Sequence, residues 1–177
     1  AGALIWKWVL SPEYGAINNI LALFGIEGPS WLQSSKWAMP AIVLASVWKD
    51  MGYFGLMLMS GLQGINQEYY DAAAIDGAGK IKQFTRITLP LLTPTLFFVL
   101  IISLINSFQL FTQIMIMTPD GGPLGSTMVM VERIYKCGFR YYEMGTAAAY
   151  SWILFAILLL LTMVQMKLQN KWVNYDD

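Results

Sequence analysis

The sequence contains no histidine and a single cysteine, Cys137. Without histidine there is no imidazole base, no neutral-pH proton shuttle and no His-ligated metal centre. One cysteine makes neither an intrachain disulfide nor a thiolate cluster, and Cys137 reads as a small apolar side chain. Charge is also scarce. Asp, Glu, Lys and Arg make up 12% of the residues, eleven acidic and eleven basic, against roughly 25% in soluble domains. Zero net charge and the lack of a long basic run remove the electrostatic footprint of a nucleic-acid binder. No Gly-x-Ser-x-Gly nucleophile elbow is present, and only Asp50 offers a carboxylate within an apolar segment, so an enzyme of the membrane interior is poorly supported.

What the chain has instead is apolar surface. Its 177 residues are 56% hydrophobic and include seven Trp and eleven Met. A helix that crosses a bilayer needs about 20 mostly apolar residues, whereas a core helix usually has fewer. Residues 38–62, 96–117 and 145–166 meet that length, and the last two carry no charge. These segments predict an all-α, polytopic transmembrane helical bundle solvated by lipid. Trp6, Lys7 and Trp8 near the start have the composition of a membrane–water interface. Residues 1–10 read as the exit end of a helix whose beginning is absent, so the chain is expected to be part of a longer protein.

Between the spans the pattern changes. Residues 11–36 are rich in turn formers and enclose INNILALF, which predicts a short helix at the bilayer surface. Residues 118–143 open on a Gly-Gly-Pro turn, and Ile134, Tyr135 and Phe139 suit another short interfacial helix. Gly145, Ala147, Ala148 and Ala149 would let a second helix approach closely. Lys167, Lys171 and Trp172 close the last span as interface anchors.

Polar residues inside the spans form two sets. Lys49 and Asp50 fall near the middle of 38–62, where an ionisable group costs at least about 2.5 kcal/mol and faces a bundle interior or a wet cavity. Ser46, Asp50 and Tyr53 share a helix face by i, i+4, i+7 spacing. In 96–117, at 100° per residue, Ser103, Asn106, Ser107 and Gln113 fall within about 120° of one another, with Gln109 at the border. Either set could line a solute path or bind a neighbouring helix by hydrogen bonds.

The most polar stretch, residues 67–94, holds Glu68, Asp71, Asp76, Lys80, Lys82 and Arg86. Asn66 is a good N-cap and Glu68 suits a first turn, so a helix is predicted over 66–76, ended by Gly77 at C′. A second helix is predicted over Lys80–Thr88, with Ile81, Phe84 and Ile87 on its inner face and Pro90 and Pro94 stopping it. GAGK at 77–80 fails as a phosphate loop. That motif needs Gly where Ala74 stands and Ser or Thr where Ile81 stands. The stretch reads as a docking element rather than a nucleotide site. Three spans put this loop and the C-terminal tail on one side of the membrane, and 11–36 and 118–143 on the other. Basic residues number five on each side, so charge counting leaves the orientation open.

Residues 71–90, DAAAIDGAGKIKQFTRITLP, resemble the EAA loop of bacterial ATP-binding-cassette importer permeases. Asp71, Ala72, Ala73, Asp76, Gly77, Ala78, Ile87, Leu89 and Pro90 fall at that family's spacing, with Asp71 where Glu is usual. ALIWKWVLSPEYGAIN, the central Trp-Lys of the first span, Phe108-Gln109 and Gly121-Gly122-Pro123 resemble the carbohydrate branch, that of the maltose and glycerol-3-phosphate importers. The resemblance covers the whole chain. It implies that residues 1–177 are a partial permease domain lacking its N-terminal spans, in the bacterial inner membrane. The chain is then a transport subunit, not an enzyme, and moves a sugar or related small polar solute. Residues 67–90 form a cytoplasmic coupling helix that docks on an ATPase through Asp71, Ala72, Ala73, Asp76, Gly77, Ala78, Leu89 and Pro90. Implied partners are a second permease subunit, an ATPase dimer and a periplasmic or lipid-anchored solute-binding protein, besides the bilayer; nucleic acid is not among them. The chain binds no cofactor itself, and ATP and Mg²⁺ belong to the partner ATPase. By similarity Ser46, Asp50, Ser103 and Ser107 lie near the solute path. Lys49, Tyr53, Asn106, Gln109 and Gln113 join them because sugar hydroxyls pair with charged and amide side chains and stack on rings. Two other readings fit three spans and a charged loop. One is a membrane scaffold or receptor subunit. The other is a proton-coupled carrier using Lys49 and Asp50, whose uptake would survive ATP depletion.

Overall fold

The computed structural model describes residues 1–173, apart from the side chains of residues 170–172. The anchors expected at Lys171 and Trp172 therefore lie outside the described residues. Every regular element among those described is helical. In order they are α1 (Gly2–Val9), α2 (Ala16–Leu23), α3 (Ala38–Gln63), α4 (Gln67–Ile75) and α5 (Lys80–Gln83). A π turn over Phe84–Thr88 leads to α6 (Leu89–Leu91), followed by α7 (Thr93–Phe108) and α8 (Thr112–Met117). Short 3-10 turns at Pro119–Gly121 and Pro123–Gly125 precede α9 (Met130–Tyr135), a π turn over Lys136–Arg140 and α10 (Met144–Trp172).

Two of these helices are long and apolar enough to cross a membrane, Ala38–Gln63 and Met144–Gln169. Their apolar side chains point outward. Val47, Met51 and Leu56 on α3 are exposed, as are Trp152, Phe155 and Leu160 on α10. Surface of that kind is unfavourable in water at about 25 cal/mol per Å² and is satisfied by hydrocarbon.

The segment expected as a third span departs from a single helix. α7 has 16 residues, about 24 Å at 1.5 Å per residue, short of a bilayer core of about 30 Å. The chain leaves helical geometry over residues 109–111, with Phe111 at φ −129° and ψ −55°. Packing explains the break. α8 delivers Ile114 and Met117 into a cluster with Leu10, Ala41, Ile42 and Ala45, and Leu110 packs on it. A continuous helix would carry these residues past that cluster. At its other end α7 meets the helical segment Lys80–Leu91 at a bend of 61°.

Contrary to the expectation from sequence, Pro90 does not stop the second loop helix. It lies inside Leu89–Leu91, directly after the π turn, and Leu92 N–H still donates to the Thr88 carbonyl at 2.9 Å. A proline ring normally collides with the carbonyl four residues earlier, and a widened π turn relieves that conflict. Pro94 sits in the first turn of α7, where the missing N–H is not needed.

The chain divides into two compact units. The first joins Ala1–Asp50 to Asn106–Ile157, and the second joins Met51–Ile105 to the chain from Leu158. In the first unit, α1 packs on α8 over the cluster just described. Asn18 fastens α2: its Nδ2 donates to the Pro12 carbonyl at 3.2 Å and its Oδ1 accepts from Trp31 Nε1 at 2.7 Å. The second unit is organised around the loop between α3 and α7.

Candidate functional site

The α3–α7 loop is shaped by its own backbone hydrogen bonds. Asn66 caps α4, its Oδ1 accepting from Glu68 N–H at 3.1 Å while its Nδ2 donates to Glu68 Oε2 at 3.2 Å. At the other end Gly77 takes φ +74°. Ala78 N–H donates to the Ala73 carbonyl at 2.9 Å and Gly77 N–H to the Ala74 carbonyl at 3.0 Å. That pair of bonds is a Schellman ending, which satisfies two otherwise orphaned carbonyls and turns the chain sharply. A Cβ at Gly77 would meet nothing within 4 Å, so conformation, not space, selects glycine there.

Asp71, Ala72, Asp76 and Gly77 are exposed, as is Leu89, while Ala73, Ala78 and Pro90 are half-buried. Asp71 accepts only a long 3.3 Å bond from Gln67, and neither Asp71 nor Asp76 has an ion-pair partner among the described residues. Ile75 beside them is also exposed. Two carboxylates and an apolar side chain thus face outward together, and a carboxylate forms its strongest hydrogen bonds with charged donors.

A clasp that the sequence did not disclose ties the loop's helices together. Tyr70 Oη and Thr88 Oγ1 are hydrogen-bonded at 2.9 Å, and Thr88 is buried. Gln83 Nε2 donates to the Ala78 carbonyl at 3.2 Å and reaches the Tyr70 carbonyl at 3.5 Å. Ile81 and Phe84 were expected to hold the second helix inward, but they are 83% and 55% exposed. Ile87 is half-buried as expected, and the π turn brings Gln83 and Thr88, five residues apart, to that same inward side. Losing both ends of the clasp removes roughly 1–2 kcal/mol. Tyr70→Phe combined with Gln83→Ala is therefore expected to speed hydrogen exchange of the α4 amides by about tenfold. Unaltered exchange would show that the clasp does not hold the loop.

The polar residues of the long helices are only partly brought together. Lys49 Nζ and Asp50 Oδ1 form an ion pair at 3.1 Å. Ser46 Oγ turns back to the Ile42 carbonyl at 2.8 Å, and Tyr53 is exposed with its ring against Phe54. On α7, Ser103, Asn106 and Ser107 keep the shared face read from the sequence, with Ser103 Oγ donating to the Leu100 carbonyl. The break removes the other two from that face. Gln109 lies in the non-helical link, and Gln113 is buried on α8.

The 118–143 segment contains a charge cluster that was not among the sequence expectations. Glu132 and Lys136 pair at 3.2 Å with side chains 4% and 8% exposed. Lys136 also lies 3.7 Å from Asp120, which Arg140 engages directly. The i, i+4 spacing of Glu132 and Lys136 was the available signal. Arg133, exposed beside them, hydrogen-bonds Tyr150, and that bond chiefly raises its pKa above the ordinary arginine value. The helix expected around Ile134 and Tyr135 is α9, with Phe139 in the following π turn stacked on Tyr135. Cys137 is buried, as suits a small apolar residue. No group of three potential metal ligands occurs among the described residues.

Comparison with known proteins places this arrangement. The family described as binding-protein-dependent transport system inner membrane component matches residues 3–175. A probable ABC transporter permease protein, YesP of Bacillus subtilis, is 35% identical, over 100% of this chain and 57% of its own length. The sulfoquinovosyl glycerol transport system permease protein SmoG of Agrobacterium fabrum is 38% identical, over 93% of this chain and 53% of its own. The sn-glycerol-3-phosphate transport system permease protein UgpA of Shigella flexneri is 36% identical, over 98% and 59%. Among solved structures, a bacterial alginate ABC transporter in complex with a pentasaccharide-bound periplasmic protein contains a similar fold. Its TM-score is 0.85 at 24% identity, over 96% of this chain and 59% of that one. The chain thus spans a little over half the length of the relatives it matches.

Proposed function

The chain belongs to the binding-protein-dependent transport system inner membrane components, and from that premise we propose that it is part of an importer permease driven by a separate ATPase. The solute is a sugar or a related small polar molecule, as for the relatives named for sulfoquinovosyl glycerol and glycerol 3-phosphate. Residues 67–90 are the cytoplasmic coupling element, and α2 and the 118–143 segment lie on the opposite side, toward a solute-binding protein. A second permease subunit completes the path, and ATP and Mg²⁺ are held by the ATPase.

One observation carries the reading. The loop that matches the family's docking motif is also built as a rigid, capped and clasped body with its carboxylates exposed. Such a body transmits a push; a flexible linker would absorb it. ATP closure of the ATPase pair moves the two coupling loops, and the helices attached to them switch access around a central site by rigid-body rocking. Asp71 and Asp76 accept hydrogen bonds from cations of the ATPase, with Ala72, Ala73 and Ala78 keeping the contact close and Leu89 and Pro90 leading back to α7.

The test is uptake into proteoliposomes by the full-length complex. Uptake that requires ATP and ignores a protonophore supports the reading; uptake that survives ATP depletion and collapses with the proton gradient replaces it with a carrier using Lys49 and Asp50. Within the path, Ser46, Lys49, Asp50, Tyr53, Ser103, Asn106 and Ser107 remain solute-lining candidates, with Gln109 and Gln113 off the shared face. Asp50→Ala is expected to raise the KM for uptake about tenfold, because a lost hydrogen bond to a charged group costs ~1.5 kcal/mol or more. Asn106→Ala should raise it about fivefold. Unchanged kinetics in both variants would return these residues to helix packing.

A further inference from the structure

A groove of about 660 Å³ opens in the first unit, between the end of α1, the turn at residues 11–14 and the 117–123 segment. That is a size typical of small-molecule sites, about 300–1,000 Å³. Its floor is closed by Leu10, Met117 and Thr118, all buried. One wall is a face of α1, since Leu4, Lys7 and Trp8 follow i, i+3, i+4 spacing, with Ser11 just beyond its end.

Both sides of the groove are fixed by their own backbone. A Cβ at Gly15 would stand 2.3 Å from the Ser11 carbonyl oxygen and 2.5 Å from that of Val9, so the 11–15 turn closes directly on backbone. Opposite it, the buried hydroxyls of Thr118 and Thr127 bond at 2.9 Å. Gly122, at φ +69°, would drive a Cβ to 2.6 Å from the Thr127 hydroxyl. The concavity is therefore preformed, which lowers the ordering cost of binding.

Its chemistry is selective. Trp8 and Tyr14 expose their rings, and Gln33 adds an amide. Lys7 has no ion-pair partner among the described residues, whereas Lys136 and Arg140 of the same unit are both drawn to Asp120. The lining residues include no Asp or Glu; Glu13 and Asp120 sit beside them in the two turns, Asp120 being held by Lys136 and Arg140. Rings and an amide suit a hydroxylated solute, and an ammonium without an ion-pair partner rewards an anion as well. We infer that this groove binds a polyol or sugar carrying an anionic group, a carboxylate, phosphate or sulfonate. The inference rests on the importer reading, which puts the groove on the side from which solute arrives. A glycerophosphate lipid headgroup shares this chemistry, and Trp with Lys is also an interfacial pair.

The full-length permease with its ATPase, in phosphatidylcholine nanodiscs, is probed with glucose and glucuronic acid by saturation-transfer NMR. Glucuronic acid is expected to bind about fivefold more strongly than glucose, the effect of one exposed ion pair. Lys7→Gln should bring the two sugars level, Lys7→Arg should retain the preference, and Trp8→Ala should weaken both. Equal binding by the wild type, or a preference that survives Lys7→Gln, overturns the inference. The same preference in phosphatidylglycerol nanodiscs supports a soluble solute; its loss there assigns the groove to a lipid headgroup and also overturns it. ATP-driven uptake by the same complex reconstituted into proteoliposomes separates the two levels of the argument. Absence of uptake for any solute defeats the importer reading, while uptake with an unaltered preference in Lys7→Gln defeats this inference alone.

Discussion

Gly77→Pro is expected to abolish ATP-driven uptake while leaving the protein in the membrane. Gly77 holds φ +74° and its N–H donates to the Ala74 carbonyl. Proline fixes φ near −65° and has no N–H, so it can satisfy neither requirement. A misfit of ~3 kcal/mol leaves roughly one loop in a hundred correctly shaped. The defect is local, because Gly77 is exposed and nothing packs where its Cβ would be. Membrane yield should stay near normal, while uptake and ATPase binding fall by about two orders of magnitude. Gly77→Asn is the control. Asparagine visits the left-handed region at little cost, so most uptake should remain. Normal uptake by Gly77→Pro would remove residues 67–90 from the proposed coupling role.

Lys136→Met is expected to produce the largest loss of stability. It strands the Glu132 carboxylate in a site where that side chain is 4% exposed. Removing one partner of a buried ion pair costs about 3–5 kcal/mol, because the remaining charge is left without compensation. For a chain of this size the unfolding midpoint should fall by about 10 °C. The double variant Glu132→Leu with Lys136→Met should recover most of that loss, since an apolar pair of similar volume replaces the ion pair without leaving a buried charge. Arg140→Gln, which removes an exposed partner of Asp120, should change the midpoint little. A double variant no better than Lys136→Met would mean that the pair is not what holds the 118–143 segment.

The difference between these two sites shows what was legible in the residues. The loop's ends are written locally. Asn66, Glu68 and Gly77 act within four residues of themselves, through a cap, a first-turn acid and a left-handed C′, and the structure places all three in those roles. Glu132 and Lys136 carry an equally local spacing, but their burial depends on what covers them, which no window of sequence contains. Their surroundings come from residues such as Asp120, far from them along the chain. The inward register of Gln83 and Thr88 escaped for a related reason. Counting every third or fourth residue assumes a regular helix, and a π turn adds a residue to the count.

The sequence by itself determined the helical class, two long apolar helices and the capped ends of the loop's first helix, because apolar length, caps and glycine conformation are properties of neighbouring residues. Only the tertiary structure decided the rest. It ended α7 at Phe108, since Ile114 and Met117 gain a shared core by turning away. It carried a helix through Pro90, and it closed Tyr70 onto Thr88 across the loop. Each of these depends on which distant surfaces meet, and burial and hydrogen bonding between them outweigh a local preference of about 1 kcal/mol.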